Sequence, residues 1–154
     1  GAVEKLSKGL PEGYKLYVKV HPGREGHLSV NSYRRLAKIR NVVPLRGKVN
    51  SFDVVKQSQG VVLVSSTVGL ESYIMGKPTC IIGHWPYAVY GNFIRETDLS
   101  KVFARIQSQS IPNDPAKFLQ NLYKETVDGS LYAGSEDFAA LVNSILTMTY
   151  LKNE

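Results

Sequence analysis

The chain runs to 154 residues, 43% hydrophobic and 21% charged, proportions ordinary for a soluble globular protein and sufficient for one domain with a core. No apolar run approaches the ~20 residues that span a bilayer, no signal peptide opens the chain, and a single cysteine excludes an internal disulfide. The net charge of +6 is uneven, with ten Lys or Arg against Glu25 and Asp53 over residues 15–56, which points to an anionic partner there or to a solvated basic helix face.

Gly1-Ala2 reads as a tag-cleavage remnant, so the expected unit is one domain over residues 3–150. The run YKLYVKV (14–20) is the first strand, alternating Leu16, Val18 and Val20 with Lys15, Tyr17 and Lys19, so that one face is wetter. Val30, Tyr33, Leu36 and Ala37 share a helical face opposite Arg34, Arg35 and Lys38. A second strand, NVVPL (41–45), leads to a short helix capped by Ser51 and carrying Phe52 and Val55, with Gly60 ending the region.

VVLV (61–64) and TCIIG (79–83) are continuously apolar, as strands covered on both faces should be. Cys80, inside the latter, is expected to be a buried and inert thiol. Between these strands Ser66 caps a helix reaching Met75, closed by Gly76 with Pro78 just beyond. LSKVFARI (99–106) is helical, Asp114-Pro115 opens another helix, and a last one starts at Ser135 with Phe138, Leu141, Val142 and Ile145 at core spacing. Strand and helix alternate three times. The expected class is therefore α/β, a Rossmann-like parallel sheet flanked by helices, with right-handed crossovers.

Parallel sheets bind ligands at the carboxyl ends of their strands, which directs attention to the loops after residues 20, 45, 64 and 83. His21-Pro22-Gly23-Arg24 turns sharply after the first strand, and its imidazole, beside Lys19 and Arg24, is suited to donate to a phosphate oxygen or merely to close the turn. Ser65-Ser66-Thr67-Val68-Gly69-Leu70-Glu71 follows the third strand. Its hydroxyls and amides suit an anion, Gly69 permits close approach, and Glu71 can accept from ribose or sugar hydroxyls. The plain alternative is a serine cap with a solvent-facing glutamate. Gly83-His84-Trp85-Pro86-Tyr87 follows the fourth strand, an aromatic loop suited to pack on a base or sugar ring, to fold as a lid, or to meet another domain.

D-x-D, C-x-x-C and closely spaced histidine pairs are all missing, which disfavours a protein-bound catalytic metal. G-x-S-x-G, the Walker A pattern and G-x-G-x-x-G are missing too, against a serine hydrolase, a P-loop enzyme and a dinucleotide cofactor.

On LPEGYKLYVKVHP and NSFDVVKQSQGVVLVSSTVGLESYIMGKP, the chain resembles the C-terminal half of bacterial capsular polysaccharide biosynthesis proteins, GT-B glycosyltransferases similar to the β-Kdo transferases. The resemblance covers about residues 10–95. It implies the nucleotide-sugar donor-binding domain of a glycosyltransferase making capsular or lipopolysaccharide, with CMP-Kdo as the favoured donor and no tightly bound cofactor. His21 and Pro22 match the motif that contacts the donor phosphate, with His21 the candidate leaving-group stabiliser. Ser65, Ser66 and Thr67 match the phosphate-facing hydroxyls, and Glu71 matches the acidic position used for ribose or sugar hydroxyls. With Arg24, Gly69 and Tyr87 these complete the expected substrate-binding set, and no residue is assigned as catalytic. The family's base comes from an N-terminal acceptor domain, which would also meet the polysaccharide or lipid-linked glycan acceptor, so the isolated domain is expected to be inactive. No nucleic-acid partner is expected. The implied location is cytoplasmic, with peripheral association at the inner face of the cell membrane left open. A teichoic-acid-type polyol-phosphate transferase and a noncatalytic nucleotide- or glycan-binding module are the alternatives.

Overall fold

The computed structural model describes residues 1–19, 29–45, 48–64, 66–109 and 113–124. The chain divides into two compact units, Gly1–Pro115 and Ala116–Glu154. The first unit runs α1 (Ala2–Lys8), β1 (Leu16–Lys19), α2 (Val30–Ala37), β2 (Val42–Leu45), α3 (Ser51–Gln57), β3 (Val61–Leu63), α4 (Val68–Ile74), β4 (Thr79–Ile81) and α5 (Val102–Gln107). A further helix, α6 (Pro115–Lys124), carries the chain into the second unit and buries Phe118. The helix expected from Ser135 lies outside the described residues. Among the described residues no helix is long and apolar enough to cross a membrane.

The pairing is parallel, as strand–helix alternation requires. β1 lies along β2 with Leu16 opposite Val42, and β3 along β4 with Val61 opposite Thr79. The arrangement is mixed α/β and Rossmann-like. Its described strands form two two-stranded ladders rather than one continuous sheet. Pro44 has no N–H to give and stands inside β2 opposite Val18, which suits a strand bonded along one side only. β2 starts at Val42 rather than Asn41, because Asn41 takes a left-handed φ of 64°, a conformation asparagine tolerates.

Side-chain alternation sorts the β3–β4 core into two layers. Thr79 points towards α4, where its hydroxyl meets that of Ser72 at 2.8 Å. Cys80 points the other way into a cluster with Ile94 and Val102, lined by Leu6, Val62, Leu99 and Ile106. Leu6 belongs to α1, a helix not among the elements expected from the sequence. Its spacing of Val3 and Leu6 was a usable signal. Ser7 anchors the same helix to the first ladder by donating to the Arg40 carbonyl at 2.6 Å.

Local chemistry accounts for the helix ends. Ser29 caps α2 by accepting from Ser32 N–H. For α3 the cap is Asn50, whose Oδ1 accepts from Phe52 N–H at 2.9 Å, so Ser51 is the first helical residue and not the cap. α4 ends in a Schellman turn, with Gly76 at φ 72°, Gly76 N–H donating to Tyr73 and Lys77 N–H to Ser72. Asn113 completes this end, its amide donating to the carbonyls of Tyr73 and Lys77.

Candidate functional site

The carboxyl ends of β3 and β4 open on one rim, and the chain shapes that rim from several directions. After β3, exposed Val64 leads to the turn at Ser66 and Thr67. Ser66 does act as a local cap, since its Oγ accepts from Val68 N–H at 3.2 Å. Its carbonyl accepts both from Gly69 N–H and from the Tyr87 hydroxyl, the latter at 2.6 Å. Thr67, exposed and already in helical geometry, is the N-cap residue just ahead of α4, and its side chain makes no capping bond. The hydroxyls of Ser66 and Thr67 therefore stand at the head of β3, as expected. Glu71 is half-buried one turn along.

Gly69 is buried, and its lack of a side chain serves packing. A Cβ there would overlap the Tyr87 hydroxyl and lie 2.8 Å from Leu63 Cδ2. The close approach that Gly69 permits is made by Tyr87 itself. That tyrosine is 7% exposed and sits on a short 3₁₀ turn, Pro86–Val89. Its ring meets Trp85 edge-on at 5.6 Å and Phe93 at 5.5 Å. The aromatic loop thus turns its tyrosine inward as a strut under the Ser66 turn, while His84 and Val89 stay exposed.

Beyond β4, Ile94 runs parallel beside Cys80, receiving from Ile81 N–H and giving its own N–H to Thr79. Arg95 therefore emerges on the same rim, and its Nη1 donates to the Gly83 carbonyl at 2.8 Å. Sequence patterning missed this residue, because it follows a stretch that reads as loop. Its only signal was the apolar pair Phe93-Ile94 ahead of it. His21, Pro22, Arg24 and Ser65 lie outside the described residues. Among the described residues no three His, Cys, Asp or Glu side chains converge as metal ligands would. The basic face of α2 is exposed at Arg34, Arg35 and Lys38.

Two buried acids give this region a pH signature. Burial pushes the Cys80 thiol up from 9.0 to about 11 and the Tyr87 phenol up from 10.0 to about 12. Cys80 is 0% exposed, so it is the inert thiol expected. Each group is neutral in the fold and ionises more easily when unfolded. Its contribution is therefore complete below the unfolded value and is lost as pH rises through the folded one. Thermal melts are expected to be flat up to about pH 9 and to fall from there to about pH 12, with Tyr87→Phe flattening the upper part of the descent. A parent melting temperature constant through pH 11 would contradict both burials.

The family described as capsule polysaccharide biosynthesis protein has a model that matches residues 3–132. No curated protein and no solved structure matches the chain.

Proposed function

The chain belongs to the capsule polysaccharide biosynthesis protein family, and from that premise we propose that it is the nucleotide-sugar donor-binding domain of a glycosyltransferase, the C-terminal half of a GT-B pair. The observation that carries this reading is the hydroxyl turn at Ser66 and Thr67, held at the carboxyl end of β3 in a parallel α/β unit. That is where such sheets take nucleotides. A donor of this kind breaks its bond between the anomeric carbon and a phosphate oxygen as an acceptor hydroxyl attacks, and negative charge grows on the departing phosphate. In this reading His21 and Arg24, which follow β1 in the sequence, with Ser65, Ser66 and Thr67, receive that charge by hydrogen bonds. Glu71 takes a sugar or ribose hydroxyl. The acceptor and its base belong to a partner domain, and a CMP-activated sugar is the preferred donor.

A thermal-shift screen with CMP, UDP, GDP and CDP-glycerol tests the proposal. CMP is expected to raise the melting temperature most, since a ligand at 100 times its Kd stabilises by about 2.7 kcal/mol. A shift with CDP-glycerol alone would replace the glycosyl donor with a polyol phosphate. No shift with any of the four would remove the nucleotide reading.

A further inference from the structure

We propose that Arg95 is a second phosphate contact of this rim, placed across from the Ser66 turn and binding the same anionic group of the ligand; this rests on the nucleotide reading above. Three observations converge on it. First, the parallel pairing of Ile94 with Cys80 makes residue 95 the exit of a fifth extended segment, at the end where β3 and β4 also stop. Second, the guanidinium is held rather than free to wander, by its bond to the Gly83 carbonyl at 2.8 Å. Gly83 in turn lies against the end of β3, for a Cβ on it would overlap the Val64 carbonyl. Arg95, Gly83 and Val64 thus form a continuous bridge from one strand end to the other, two residues short of Ser66.

Third, the charge is left uncompensated. The neighbouring carboxylate, Glu96, approaches Arg105 at 3.9 Å, and Asp98 approaches Lys101 at 3.5 Å, but no described carboxylate pairs with Arg95. One bond to Gly83 uses one of the five donors of a guanidinium. The planar fork that remains, exposed at the rim, is the shape that grips two oxygens of a phosphate at once. A lysine would offer a point charge and not that geometry.

The test uses the 154-residue chain with CMP, cytidine and inorganic pyrophosphate as probes, by calorimetry and by the Nε–H resonance of Arg95. Arg95→Gln keeps a donor for the Gly83 carbonyl while removing the charge, so the loop bond and the phosphate contact separate. It is expected to weaken CMP by about tenfold to a hundredfold, to leave cytidine unchanged, and to flatten the salt dependence of binding. Arg95→Lys should recover part of the loss, and Arg105→Gln should change nothing. CMP bound equally well by Arg95→Gln and the parent would overturn the proposal while leaving the nucleotide reading intact. A parent that binds no CMP, yet whose Arg95 resonance shifts with pyrophosphate, would support the anion contact and end the reading of CMP as the donor nucleotide. Neither probe moving that resonance would overturn the contact.

Discussion

Gly69→Ala is expected to destabilise the protein by about 2–4 kcal/mol, against the usual sign of this change in a helix. Alanine is ordinarily the better helix former by up to ~1 kcal/mol, and Gly69 lies inside α4. Here the added carbon would overlap the Tyr87 hydroxyl and sit 2.8 Å from Leu63 Cδ2. Both neighbours are fixed: Leu63 by its place in β3, Tyr87 by its bond to the Ser66 carbonyl and its ring contacts. Relief requires moving the tyrosine, which gives up a hydrogen bond of roughly 1 kcal/mol and adds the strain of an overpacked core, about 1–3 kcal/mol. Most of that loss should pass through one oxygen atom. Gly69→Ala in a Tyr87→Phe background is therefore expected to cost at least ~1 kcal/mol less than in the parent, read from urea midpoints as a double-mutant cycle. Additive costs would mean that the hydroxyl is not what fills the space, and a stabilised Gly69→Ala would refute the packing role altogether.

That single position shows where sequence reading works and where it stops. A glycine between two serines and a glutamate at a strand end is visible in the sequence, as is the strand end itself. Whether its missing side chain makes room for a ligand or for another part of the chain depends on residue 87, eighteen positions away. No local pattern specifies that partner. Elements whose chemistry is local were legible: the apolar runs that became β3 and β4, the helical periodicity of α2, and the Gly76 closure of α4. Asn50 displaced Ser51 as a cap because two adjacent residues both suit that role, and the backbone geometry at residue 50 decided between them. The pairing of Ile94 with Cys80 was beyond reach for a different reason. A single bridging residue has no periodicity to read, so Arg95 stayed hidden in a loop. The helix α1 carried a usable apolar spacing at Val3 and Leu6, but no element was expected ahead of the first strand.

Ser66→Asp is expected to leave the fold intact and to abolish most of the affinity for a nucleoside phosphate. The side chain of Ser66 accepts from Val68 N–H, and aspartate accepts there at least as well as serine. The Tyr87 strut bonds to the Ser66 carbonyl and not to its side chain, so the substitution leaves it in place. Melting temperature and urea midpoint should therefore stay close to those of the parent. What changes is charge. A carboxylate about 4 Å from a phosphate oxygen repels it by about 4 kcal/mol at an effective dielectric of ~20, and even a third of that, in this half-exposed turn, is a loss of about tenfold. Cytidine carries no phosphate and should bind the variant as it binds the parent, which separates repulsion from a damaged pocket. Ser66→Ala supplies the complement: it removes the cap without adding charge, so it should cost about 0.5–2 kcal/mol of stability and, with the hydroxyl's bond to phosphate gone, weaken CMP beyond any change in folded fraction, though less than Ser66→Asp does. A Ser66→Asp protein that melts normally and holds CMP as tightly as the parent would place the phosphate elsewhere on the molecule, and the donor site at the head of β3 would have to be given up.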